Sequence, residues 1–467
     1  MKGIFRALVV LVFVLGIFAG TRAWLRAGRA DGVTFYDANP QHLWNRLHAA
    51  IYIREDIPST AQVADALDPP LWQNTQYLLS KPSHERMVRL LDEFLRTHGE
   101  HLIQDPVQRA MLQRDLWAVF DWSAMREPER PEEPAYEKEK RELQTRLAEA
   151  MRRLALRPEE IRALPATYEL AVKSGEFAKE YDPQHRERTF LPPDLFDVDS
   201  PWVQIGTQGI GPEPAAASHA EQFSRSSFLI FIRLPEGRKA TYDYLHTVWD
   251  FPQPWVVRTD GGADVRNQTS ENQQLPQFPA GTEVLLLRQM MLFDNQGTPQ
   301  STPITESVQI RVYRSVPAHA EIINDESQAF KKSLQDFYEI VLSRPVLFAG
   351  SAAQRSGGLR ATGRKEKQFS LLNSFGADEG PPGQFAKLDN YPPALESCAM
   401  CHRGAGINSV NSRRVLLKPY WLTHDYAERP GYTPPPTQWW DYDQGVSWKQ
   451  QRYEWGLLNG YWKAAAQ

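Results

Sequence analysis

Two thiols and an imidazole stand together late in this chain, as Cys398-Ala399-Met400-Cys401-His402 within ALESCAMCHRGAG, residues 394–406. These are the only two cysteines in 467 residues. The spacing suits covalent haem. Two thiolates add to two vinyl groups on one porphyrin edge, a two-residue spacer in a helical turn spans them, and the following imidazole meets the iron from one face. Rival chemistries fit less well. A disulfide across two residues closes a very small loop and stabilises little. A redox dithiol opens a helix after a buried strand, and the preceding YPPALES is not such a strand. A zinc site needs two more ligands, which only distant histidines are left to supply.

On CAMCH, residues 398–402, the chain resembles the c-type cytochromes. The resemblance implies one covalent haem c, with Cys398 and Cys401 as thioether positions and His402 as the proximal iron ligand. It also implies export, maturation by a haem-attachment machinery on the outer face of a membrane, and one-electron transfer to redox partner proteins. It covers only a short part of the chain. The wider layout is similar to large exported bacterial proteins with one late haem motif, through LPQFPAGTEVLLLR (275–288) and CHRGAGINSVNS (401–412). That likeness brings no activity with it.

The other face of the iron is where the chain departs from small cytochromes c, which supply a methionine from downstream of the motif. Here the last methionine is Met400, inside it. Three alternatives stay open for the sixth position. His424, in PYWLTHDYAERP, is the only histidine downstream and would give bis-histidine iron of lower potential. An upstream residue, from Met290, Met291, His246 or His319, would fold over the haem. Or the position is vacant and takes a small ligand. Three functions follow: an electron carrier, a five-coordinate haem enzyme acting on peroxide or another small ligand, or a binding scaffold whose haem is a structural staple. The carrier is preferred over a catalyst, and no nucleophile–base pair stands in a recognisable catalytic setting.

Haem propionates need donors, and Arg403, Arg360 and Arg364 are the candidates, with Gly357-Gly358 permitting close backbone approach to a flat cofactor. His98-Gly99-Glu100-His101 places two imidazoles three apart, but Gly99 and the end of a helical stripe read as a capping region rather than a metal site. Gly404-Ala405-Gly406 lacks the strand–turn–helix context of a phosphate loop.

The elements that must position these residues change character along the chain. From Asn39 to about Ser174 the pattern is helical. Asn39-Pro40 and Asp105-Pro106 give capping side chains before a proline, and Met87, Leu91, Phe94 and Leu95 form one apolar stripe. Val107, Met111, Leu116 and Phe120 form a second, and Leu143, Leu147, Met151 and Leu154 a third, with the proline-rich connector REPERPEEP (126–134) between them. Residues 182–226 read as a long connection. FLIFIRLP (228–235), TEVLLLRQMMLF (282–293) and ESVQIRVY (306–313) read as strands, the last two joined through Asp294-Asn295-Gln296-Gly297, with a helix near Ala240–Trp249. Phe330, Leu334, Phe337 and Val341 predict an amphipathic helix. Trp448, Leu458, Trp455 and Trp462 predict a C-terminal helix docked on the core.

The N-terminus carries Lys2 and Arg6 ahead of an apolar run from Ala7 to Gly20. Fourteen helical residues span about 21 Å, short of the roughly 30 Å hydrocarbon core, which suits a secretory signal with Ala23 or Ala30 ending passable cleavage sites. An uncleaved membrane anchor through residues 7–20 is the alternative. A net charge of −4 without a basic block argues against nucleic acid as a partner. The expected fold is α+β and multidomain: residues 1–30 a signal or anchor, 31–180 an α-helical layer, 181–320 a β-rich domain, and 321–467 a mostly helical or irregular cytochrome c-like haem region. The expected location is the periplasm or the outer face of the cytoplasmic membrane.

Overall fold

The computed structural model describes residues 34–54, 64–69, 77–125, 136–205, 225–257, 269–272, 274–316, 334–349, 357–367, 393–396, 402, 406–410 and 449–465. The apolar N-terminal run, Cys398, Cys401, Arg403, His319, His424 and Trp448 lie outside these.

Six helices come first: α1 (Leu43–Tyr52), α2 (Ser83–Arg96), α3 (Pro106–Met125), α4 (Glu137–Leu154), α5 (Pro158–Arg162) and α6 (Thr167–Ser174). Asp105 caps α3 as its sequence position predicts, its Oδ1 accepting from the Gln108 N–H at 2.8 Å. Then follow β1 (Val203–Ile205), β2 (Ser226–Arg233), α7 (Arg238–Trp249), β3 (Trp255–Val257), β4 (Thr269–Glu271), β5 (Glu283–Phe293), β6 (Pro299–Tyr313), β7 (Gln335–Leu342), α8 (Arg344–Phe348) and β8 (Leu359–Ala361). The short α9 (Ile407–Val410) and α10 (Tyr453–Ala464) close the chain.

β1-β2-β5-β6-β7-β8 form one antiparallel sheet of six strands, so the chain is α+β. The β5–β6 hairpin turns on Asp294, whose Oδ1 accepts from the N–H groups of Gln296 and Thr298, both at 2.9 Å. Gly297 takes φ +81° there, a conformation that glycine adopts without strain.

The amphipathic helix predicted around Phe330–Val341 is instead strand β7 over its described part. Tyr338, Ile340 and Leu342 alternate into the core, and Gln335–Val341 pair residue by residue with β6. The apolar residues of FYEIVL satisfy both periods, and the open edge of β6 selects the strand.

The sheet buries both faces. Leu229, Phe231, Leu285, Leu287, Val308, Ile310, Tyr338 and Ile340 pack under α1–α4 in a cluster that runs from Tyr36 to Trp462. This cluster draws on residues either side of 180 and of 320. The alternate residues Ile230, Ile232, Val284 and Tyr313 pack with Leu245 and Val248 of α7 and with Phe278 and Ile407 in a second, smaller cluster. α10 docks as its tryptophans predict: Trp455 stacks on Phe293 at 5.1 Å and Trp462 meets the same ring edge-on at 5.0 Å. Among the described residues no helix is long and apolar enough to cross a membrane.

A buried charged layer lies between helices and sheet. Asp115 of α3 accepts from the Tyr52 hydroxyl at 2.7 Å, Tyr36 at 3.1 Å and Arg344 Nη2 at 2.5 Å, with His48 Nδ1 at 3.4 Å. Glu306 of β6 bridges Arg114 and Arg288, and Asp68 meets Arg114, Arg225 and Arg288 at 2.8–3.2 Å. Asp121 and Glu454 hold Lys449 at 2.8 and 3.3 Å. Burial alone would raise the carboxyls of Asp68 and Asp115. Their arginine partners outweigh it and hold both below the usual carboxylate range.

His48 is fully buried, and burial lowers its pKa despite Asp115. A base kept neutral in the fold gives stability that is whole above its unfolded pKa, about 6.5, and is lost as pH falls below that value toward the lowered one. The unfolding free energy from urea titrations is therefore expected to fall as pH drops below about 6.5, by up to about 1.4 kcal/mol per pH unit from this residue. His48→Gln should flatten that slope, and equal slopes in variant and parent would exclude His48 as the source.

Candidate functional site

His402 is the one residue of CAMCH that the structure describes, and it lies against the smaller cluster on the sheet face opposite α1–α4. The approach to it is built by a tight turn. Gly406 takes φ +56°, and a Cβ there would overlap the side chain of Gln277, whose Oε1 accepts from the Ile407 N–H at 2.9 Å. Only glycine fits both the conformation and the space. Ile407 is thereby driven into the cluster with Phe278 and Tyr313, and the buried Ser409 hydroxyl bonds that of Tyr313.

The ring of His402 meets two groups at Nδ1. Nδ1 lies 2.9 Å from the Ser409 carbonyl and 3.2 Å from Arg311 Nη1. The carbonyl only accepts and is the nearer of the two contacts, which a proton on Nδ1 satisfies. Arg311 Nη1 directs its own hydrogens to the Ser409 carbonyl at 3.1 Å and the Tyr313 hydroxyl at 3.0 Å. The His402 carbonyl accepts from the side chain of Gln335 on β7. With Nδ1 protonated, the ring's lone pair is on Nε2, the form in which imidazole ligates a metal.

Other residues expected to share the site are placed elsewhere. Arg360 sits opposite Val341, six residues along β7 from Gln335, or about 20 Å. Its guanidinium is held by both carboxylate oxygens of Glu366, at 2.9 and 2.8 Å. Arg364 is exposed in the following turn. Gly357 and Gly358 do permit close approach, but to protein: a Cβ on the first would strike the Thr167 carbonyl and on the second the Leu347 side chain. Met290 and Met291 are fully buried in the cluster under the helices, across the sheet from His402. His246 is exposed on α7.

Arg311, Gln335 and Ser409 are the partners of His402 that sequence reading missed. Ser409 stood inside a quoted segment, seven residues on, and no local signal marked it. Arg311 and Gln335 arrive from strands 91 and 67 residues away. Among the described residues, His98, Glu100 and His101 are the one group of metal-ligating side chains gathered in space. Comparison of the chain with protein-family models, curated proteins and solved structures finds no match.

Proposed function

We propose that this chain is an exported monohaem c-type cytochrome carrying one electron between partner proteins outside the cytoplasmic membrane, either periplasmic or anchored through residues 7–20. The order Cys398-X-X-Cys401-His402 carries the reading. The environment of His402 supports it, because a protonated Nδ1 fixed by a backbone carbonyl presents Nε2 in the ligating form. Cys398 and Cys401 would hold the haem covalently and His402 would ligate its iron, and the group would supply a one-electron couple. The chain's own residues then have distinct tasks. The Ser409 carbonyl fixes the plane of the ring, Arg311 places a positive charge beside it, and Gln335 ties the backbone of the motif to the sheet.

The test is the full chain produced in a host that attaches haem c. The mass of one haem, retained after denaturation, is the expected result, and it should vanish from Cys398→Ser/Cys401→Ser. Haem content untouched by that double substitution would sink the reading. A carrier should also give low-spin spectra indifferent to carbon monoxide and cyanide. Ready ligand binding by the resting protein would favour a haem enzyme instead. If His424 is the sixth ligand, His424→Ala should convert the spectrum to high spin, and an unaltered spin state removes it from that role.

A further inference from the structure

The turn after α2 holds a second concentration of ligating side chains, independent of the haem motif. His98 Nδ1 lies 3.2 Å, and His101 Nε2 3.7 Å, from Glu100 Oε1. All three ligand atoms fall within 4.8 Å of one another. Nitrogen and oxygen ligands set tetrahedrally at 2.0–2.1 Å from zinc are about 3.4 Å apart, so little movement would close them on an ion.

Glu100 supplies the second observation. Its side chain is only 9% exposed, and Oε2 is buried with no hydrogen-bond partner among the described residues. A carboxylate withdrawn from water with an oxygen unsatisfied is costly unless a cation answers it. The two rings flanking it are 69% and 70% exposed, so an ion can enter and exchange from solvent. The backbone between them is set by the core and not by the rings. Trp44 Nε1 donates to the Gly99 carbonyl at 2.8 Å, a Cβ at Gly99 would overlap the Phe94 ring, and the His101 N–H donates to the His98 carbonyl at 2.9 Å. His98 takes φ 53°, which turns its ring back toward His101, the two centroids standing 6.1 Å apart.

We propose that His98, Glu100 and His101 form a site for a first-row divalent cation, with the remaining coordination positions open to solvent. Two imidazoles and a carboxylate suit zinc(II) or copper(II). Magnesium and calcium prefer all-oxygen sites.

The experiment is equilibrium dialysis of the purified full chain against zinc(II), followed by elemental analysis. One zinc per chain is expected, with affinity lowered at least tenfold in His98→Ala and in His101→Ala. Both rings are exposed, so these variants should keep the parent's circular dichroism and melting temperature. The same losses are expected in a Cys398→Ser/Cys401→Ser background, which separates this site from any zinc taken by the motif thiols. Affinity in His98→Ala equal to the parent's, or binding that disappears with the cysteines alone, would overturn the proposal.

Discussion

Replacing Arg344 by methionine is expected to destabilise the fold by about 3–5 kcal/mol, read as a fall in the urea midpoint at unchanged slope. Arg344 is fully buried and its Nη2 lies 2.5 Å from Asp115, itself fully buried. The same guanidinium donates to the Tyr52 hydroxyl at 2.8 Å and to the carbonyls of Asp65 and Ala66 at 2.9 and 2.7 Å. Methionine fills much of the volume but leaves Asp115 a buried charge whose donors among the described residues are Tyr36, Tyr52 and the neutral His48. It also takes the guanidinium donor away from the carbonyls of Asp65 and Ala66. The cost is thus that of stranding groups, and exceeds the net worth of the pair. Adding Asp115→Leu should therefore recover part of the loss, giving a coupling energy that a merely steric effect would lack. A loss below about 1 kcal/mol for the single variant would show that Asp115 does not depend on Arg344 for compensation.

Trp462→Ala should cost a comparable amount, about 3–5 kcal/mol, by the cavity left when a large core ring is deleted. The indole meets Phe293 at 5.0 Å and Trp455 at 6.1 Å, and its Nε1 donates to the Ala148 carbonyl at 2.8 Å. Gly297, in the β5–β6 turn, lies against its face. Loss of the ring therefore loosens α4, α10 and the hairpin together. Phenylalanine should restore most of the packing but not the hydrogen bond, recovering more than half of the deficit. If Trp462→Ala unfolds at the parent's urea midpoint, α10 is not part of the cooperative core.

The elements legible from sequence were those whose period had one reading. Met87, Leu91 and Phe94 recur at a helical spacing that no strand could use, and Asp105-Pro106 opens α3 with a cap. TEVLLLRQMMLF and ESVQIRVY are β-rich and joined by a turn whose aspartate and glycine both act as such residues should. FYEIVL carried two periods at once, and the neighbouring strands chose between them. The charged layer left no trace in sequence because its partners are far apart in the chain: Arg288 and Asp68 are 220 residues distant. The same reason hid Arg311 from the reading of His402. The proposed attachment motif is a local pattern of five residues, whereas the residues gathered round His402 are recruited by topology.

One core includes Tyr36 near its beginning and Trp462 near its end, and this bears on the order of events as the chain is made. A vectorially produced chain cannot finish burying Phe293 until α10 has emerged, so the first four hundred residues wait with an incomplete interior. Cys398, Cys401 and His402 emerge before that last helix. The segment bearing the two thiols is therefore produced while the interior is still open. The late closing helix makes completion of the core the last step.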